Sequence, residues 1–170
     1  GLEEEFDIIL GDNVPNVVCK ANVNILFDNV CKMLKKDGFF MPRTYIREKG
    51  EKITPENSIE RYREKDHIYG FYSGFVRYLY YIACDPKTDE WTMGAVYKAA
   101  KKMFERGLIT REELDFCGEK LGLRIFHQFP FYMPIKEDFD GILRGHFDVV
   151  EVFYGSEPYL EDKLPLYVLK

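Results

Sequence analysis

Two apolar runs bracket one amphipathic helix at the start of this chain, and that arrangement admits few folds. Phe6-Asp7-Ile8-Ile9-Leu10 reads as a buried strand that ends in the polar turn Gly11-Asp12-Asn13. Val23, Leu26, Phe27, Val30, Met33 and Leu34 then recur at the three- and four-residue spacing of a single helix face. Lys32, Lys35 and Lys36 gather at the end of that helix, where its dipole favours cations, and Gly38 reads as the left-handed cap. A second strand is predicted over Phe39–Ile46. Strands this apolar along their whole length are characteristic of parallel pairs covered on both faces, so residues 1–48 predict a βαβ unit and an α/β fold.

The next region, 49–146, reads as a mostly helical insert. Thr54 before Pro55 is a capping residue followed by a first-turn proline, which starts a helix. Residues 68–83 predict a helix that is apolar on nearly every side. Asp85–Asp89 is a turn, and Thr92 caps a helix that Gly107 ends. Thr110 with Glu113 forms a capping box for a further helix that stops at Gly122. Leu123–Phe129 fits a short strand as well as a loop, and residues 134–145 place Ile135, Phe139, Ile142 and Leu143 on one helix side. The last region, 147–170, holds two strands, Phe147–Tyr154 and Leu164–Leu169, joined by a turn with Gly155 and Pro158. A connection that short makes them antiparallel or close neighbours in one sheet. The whole chain of 170 residues is long enough for a single domain with one core.

Charge and composition narrow the function. A net charge of −5 lacks the basic footprint of a nucleic-acid binder. The aromatic stretch from Ile68 to Cys84 is too short and too polar to span a bilayer, and no signal peptide opens the chain. Cys19, Cys31, Cys84 and Cys117 form no C-x-x-C pair, and with His67, His127 and His146 they give no metal-ligand spacing. Free thiols in a reducing cytoplasm follow. The chain opens on Gly1 rather than Met, which suggests a trimmed chain, a tag remnant or an incomplete stretch of sequence.

The order strand, helix, strand, helical insert, strand, reversed strand resembles the second half of a class I S-adenosylmethionine-dependent methyltransferase. Phe6–Asp12 resembles the family's fourth strand. Asn29-Val30-Cys31-Lys32-Met33-Leu34-Lys35-Lys36-Asp37-Gly38-Phe39-Phe40 resembles its helix, leader and fifth strand. Phe147–Tyr154 and Leu164–Lys170 resemble its sixth and seventh strands, a reversed C-terminal hairpin. The likeness covers about residues 1–48 and 147–170. It implies a Rossmann-like methyltransferase sheet, S-adenosylmethionine as cofactor and a small-molecule acceptor. The family's glycine-rich turn, which brings backbone amides to the cofactor, has no counterpart here: no G-x-G occurs. The donor-binding half of the site is therefore missing from this chain.

Candidate site residues follow from that placement. Asp12 and Asn13 stand at the carboxyl end of the first strand, the edge that lines the ligand crevice in open α/β sheets, where they would hold or deprotonate an acceptor. The same residues also suit a plain turn and helix lead-in. Asn13-Val14-Pro15-Asn16 departs from the family's Asn/Asp-Pro-Pro-aromatic signature of amino methylation at Val14 and Asn16, which favours a small-molecule acceptor. Arg43 and Thr44 read as strand-closing residues. Tyr69, Tyr72 and Arg77 are the substrate-binding candidates within an aromatic stripe whose default role is core packing. A second class of function also fits: a non-catalytic module or half-enzyme that forms a homodimer, or joins a partner chain, through the Phe6–Gly11 edge strand.

Overall fold

The computed structural model describes residues 5–126, 128–155 and 163–170, and packing divides the chain into two compact units, Gly1–Lys49 with Phe131–Lys170, and Gly50–Pro130. The first is α/β. Strand β1 (Phe6–Asp12) leads through two short 3-10 turns to helix α1 (Val23–Met33) and strand β2 (Leu34–Arg43). After the second unit come the short strand β4 (Phe131–Tyr132), helix α6 (Lys136–Arg144), β5 (Val149–Phe153) and β6 (Leu166–Leu169). The main sheet runs β1-β2-β6-β5. β1 and β2 are parallel, whereas β6 is antiparallel to both β2 and β5. The chain is thus α/β with a mixed sheet whose last strand is reversed, and the helices α1 and α6 feed its core.

That core forms where apolar spacing on α1 and α6 meets alternate residues of the strands. Val23, Phe27 and Val30 from α1, Phe139 and Leu143 from α6, and Phe40, Tyr167 and Leu169 from the sheet are buried together. Phe27 is central. Its ring stands edge-on to Phe147 at 5.8 Å and lies 6.0 Å from Phe139. Full burial of one such side chain is worth about 1.5–3 kcal/mol.

Several sequence expectations shift here. The second strand, predicted over 39–46, runs over Leu34–Arg43, so α1 ends at Met33 and Lys35 lies on the strand, bonded to Asp7. Gly38 is no helix cap. It sits inside β2, where a β-carbon would stand 2.9 Å from the carbonyl oxygen of Phe6, so glycine there admits the neighbouring strand. The first strand is not covered on both faces either. Ile8 and Leu10 are 56% and 74% exposed, while Ile9 between them packs on the core. The turn predicted between the last two strands falls largely at 156–162, outside the described residues.

The second unit is helical. It contains α2 (Pro55–Glu64), α3 (Arg77–Ala83), the short strand β3 (Glu90–Trp91), α4 (Met93–Glu105) and α5 (Arg111–Leu121). The predicted caps form. The hydroxyls of Thr54, Thr92 and Thr110 accept from the amides of Asn57, Ala95 and Glu113, and the Glu113 carboxylate closes the box on the Thr110 amide. Gly107 and Gly122 take positive φ where α4 and α5 stop.

The predicted helix over 68–83 is broken. Asp66–Tyr69 is a 3-10 turn, Gly70 turns at φ +72, and Tyr72–Val76 is a π-helical turn before α3 begins. Leu123–Phe126 continues a 3-10 turn instead of a strand. The insert, predicted as 49–146, corresponds to the unit Gly50–Pro130, because Phe139 and Leu143 of α6 belong to the α/β core.

Candidate functional site

The carboxyl end of the parallel pair β1–β2 gathers a set of polar side chains within the α/β unit. Asp12 and Arg43 are register partners across the two strands, and Arg43 Nε donates to Asp12 Oδ1 at 2.8 Å with both side chains substantially exposed. Asn13 follows in the left-handed region (φ 57, ψ 18), a conformation asparagine tolerates better than most residues. Its amide donates to the Arg43 carbonyl at 2.7 Å, and its own carbonyl accepts from the amides of Asn16 and Val17, so the chain turns sharply away from the sheet.

The side chain of Asn13 is left with a buried oxygen, Oδ1, that has no hydrogen-bond partner. A buried acceptor without a donor costs about 1–3 kcal/mol, a condition Asn13 Oδ1 shares with Ser58 Oγ and Asp66 Oδ1 of the helical unit. Behind the turn Pro15 and Asn16 are buried, and Asn16 is fully engaged. Its Nδ2 donates to the carbonyls of Tyr45 at 3.0 Å and Tyr132 at 2.8 Å. Its Oδ1 accepts from the Thr44 hydroxyl at 2.9 Å and the Tyr45 amide at 2.8 Å. Asn16 therefore fixes the turn after β1 to the segments that follow β2 and precede α6. Thr44, a strand-closing residue by sequence, is fully buried as part of this network. The signal for Asn16 was a lone amide within the apolar stretch Val14–Val18, at the position where the amino-methylation signature carries an aromatic.

The other candidates lie in the helical unit. Tyr69 and Tyr72 are half-buried, and Arg77 opens α3, also half-buried. Tyr72 and Tyr80 share a hydroxyl–hydroxyl hydrogen bond of 3.2 Å, and Tyr80 stacks on Trp91 at 4.3 Å. Phe75, Tyr78, Tyr80 and Tyr81 are buried, so most of the aromatic stripe is packing. Asp66, absent from the sequence-based candidates, is completely buried. Its Oδ2 accepts from Arg61 Nε at 3.1 Å and from the Tyr78 hydroxyl at 3.3 Å. Gly74 is required beside it, since a β-carbon there would stand 2.3 Å from the Asp66 carbonyl oxygen.

Among the described residues neither His67 nor His146 takes part in a nucleophile–base pair. His146 reaches Asn24 and Asp28 of α1 and lies against Phe27, whereas His67 is exposed. His127 lies outside the described residues. Among the described residues no cluster of His, Cys, Asp and Glu could hold a metal ion, and no helix is long and apolar enough to cross a membrane.

No protein-family model matches the chain, and no curated protein matches it either. Among solved structures it is similar to a proposed Zn-dependent alcohol dehydrogenase of Rhodobacter sphaeroides, with a TM-score of 0.53 and 14% identity, over 99% of this chain and 59% of that one. The likeness is one of fold, and this chain spans only about three fifths of that protein's length. A further similarity, to PKMT2 from Rickettsia typhi, covers 97% of this chain and 35% of that one at 12% identity, with a TM-score of 0.41, too low to establish a shared fold.

Proposed function

We propose that this chain forms the acceptor side of an S-adenosylmethionine-dependent methyltransferase acting on a small molecule. The observation that carries this reading is the buried, unpartnered Oδ1 of Asn13 at the carboxyl edge of the parallel pair β1–β2. The reversed strand β6 beside that pair matches the hairpin that the family resemblance implies.

The described residues do not themselves fit S-adenosylmethionine, because no glycine-rich turn presents a row of backbone amides to it. What they supply is acceptor chemistry. An acceptor hydroxyl or amine would donate a hydrogen bond to Asn13 Oδ1, the buried acceptor left without a donor among the described residues. Asp12, paired with Arg43 at the rim, is the carboxylate we assign to take the acceptor's proton. Most of the rate gain from such a site comes from alignment. Tyr69, Tyr72 and Arg77 of the helical unit are proposed as substrate-binding residues on the strength of their aromatic stripe alone.

The test, made in a complete enzyme that carries both this chain and a donor-binding half, is transfer of labelled methyl from S-adenosylmethionine into a small-molecule pool. Asn13→Ala and Asp12→Ala should each lower turnover by roughly tenfold or more, the loss of one aligned polar contact, with little change in cofactor affinity. Transfer unaffected by either variant would sink this assignment. The chain alone should bind S-adenosylmethionine weakly or not at all, so micromolar binding in calorimetry would place a donor site within these residues.

A second reading has its own observation. Among the described residues β1 ends the sheet with one edge unpaired by any other strand, and its outward face shows Phe6, Ile8 and Leu10 to solvent. Exposed apolar edge strands recruit further strands. A homodimer or partner chain joined through Phe6–Gly11 would cover them. Sedimentation should then show self-association that Ile8→Lys abolishes; a soluble, strict monomer at high concentration argues against it.

A further inference from the structure

A cavity of about 710 Å³ lies within the helical unit, between the start of α4 and the turn that follows α5. Small-molecule sites span roughly 300–1,000 Å³, so its size suits a ligand. The two walls meet closely because residue 94 is glycine. A β-carbon there would stand 2.8 Å from the carbonyl oxygen of Ile125 and 3.6 Å from Nε2 of Gln128.

The lining has one sign of charge. Lys98 and Lys101 lie three residues apart on one face of α4, and no carboxylate lines the cavity among the described residues. In a chain whose net charge is −5, such an all-cationic lining runs against the bulk balance. Lys101 is also placed. Its Nζ stands 5.3 Å over the ring of Tyr97, and that ring rests against α5 at Gly118, where a β-carbon would lie 3.4 Å from it. The facing wall offers the side chains of Ile125, Phe126 and Gln128. Phe126 is 74% exposed, an apolar ring with nothing over most of its surface.

Two lysines that line one cavity with an exposed ring and an amide match a particular ligand chemistry. We propose that this cavity binds a small oxyanion, a phosphate or carboxylate, carried on a flat apolar body. The anion meets Lys98 and Lys101, and the body lies against Phe126. The cavity belongs to the helical unit and needs no methyl donor.

Phenyl phosphate is the probe, titrated calorimetrically into the full chain at low salt without S-adenosylmethionine. Saturable binding with a dissociation constant of roughly 1 mM or tighter is expected. Salt should weaken it, because the contacts are charge-assisted and exposed. The double variant Lys98→Glu, Lys101→Glu changes only exposed side chains, and circular dichroism should confirm its fold. It should bind at least about tenfold more weakly, as should phenol or inorganic phosphate with the parent chain. Phe126→Ala should weaken phenyl phosphate and leave inorganic phosphate unchanged. Absence of saturable binding, equal affinity in the double lysine variant, or inorganic phosphate binding as tightly as phenyl phosphate would each overturn the proposal. None of these outcomes depends on whether methyl transfer occurs.

Discussion

The carboxamide of Asn16 accepts the hydroxyl of Thr44 at 2.9 Å with both residues buried, and the same side chain binds the backbone at Tyr45 and Tyr132. Truncation would strand a hydroxyl, an amide and two carbonyls. Each buried polar group left unmade costs about 1–3 kcal/mol, partly relieved where water enters. Asn16→Ala should therefore lower stability by about 2–4 kcal/mol, read as a reduced urea midpoint at unchanged slope. A loss under about 1 kcal/mol would mean that water replaces the amide freely.

Asn13 stands in the opposite situation. Its side-chain oxygen is buried without a partner and its backbone is left-handed, so the residue costs stability where it is. Asn13→Gly removes both costs. The variant should be as stable as the parent or gain up to about 1 kcal/mol, while methyl transfer falls. Clear destabilisation by Asn13→Gly would show the side chain to be structural.

Two glycines make a paired test of close approach. At Gly74 an added β-carbon meets the Asp66 carbonyl oxygen at 2.3 Å; at Gly141, inside α6, it meets nothing within 4 Å. Gly74→Ala should cost about 3 kcal/mol or more, through strain at a backbone atom that cannot step aside. Gly141→Ala should gain about 0.5–1 kcal/mol, the ordinary helix preference of alanine over glycine. Thermal melts of the two variants should move in opposite directions.

Alkaline pH should destabilise the protein through groups kept neutral by burial. Desolvation, with the nearby Glu113 charge, pushes the Cys117 thiol up to about 12. Burial likewise raises the Tyr167 phenol, aided by the Asp140 carboxylate, which accepts its hydrogen bond at 2.9 Å. Both groups hold their protons more tightly folded than unfolded. Their contribution is complete below the unfolded pKa and is lost as pH rises towards the folded value. Stability should fall from about pH 9 upwards, where an unfolded thiol begins to ionise. Cys117→Ala and Tyr167→Phe should each flatten that fall.

On the acid side the sign reverses. Burial works against the Glu113 carboxylate, yet Arg63 and the hydrogen bonds at Thr110 outweigh it and hold its pKa below the usual range. That stability is complete above the unfolded carboxylate pKa and is lost as pH falls through the folded one. The parent should weaken below about pH 4.5. Glu113→Gln, already less stable at neutral pH, should show a shallower acid loss; equal slopes would mean that Arg63 contributes nothing.

The sequence by itself determined what depends on local signals. The 3.6-residue period of Val23–Leu34 placed α1, and hydroxyl caps at Thr54, Thr92 and Thr110 placed three helix starts, because a cap is satisfied by amides only two or three residues away. The strands were legible in outline for the same reason, since apolar runs mark them and a short terminal loop restricts the pairing of the last two. Only the tertiary structure decided what depends on residues far apart in the chain. Gly38 belongs to β2 because Phe6 lies against it, α6 joins the α/β core because Phe139 and Leu143 meet Phe27, and Asn16 is a hub because the chain brings Thr44 and Tyr132 to it. The same holds at Asn13: that its amide oxygen is buried and without a donor is a property of the packed turn, and no spacing of residues could have announced it.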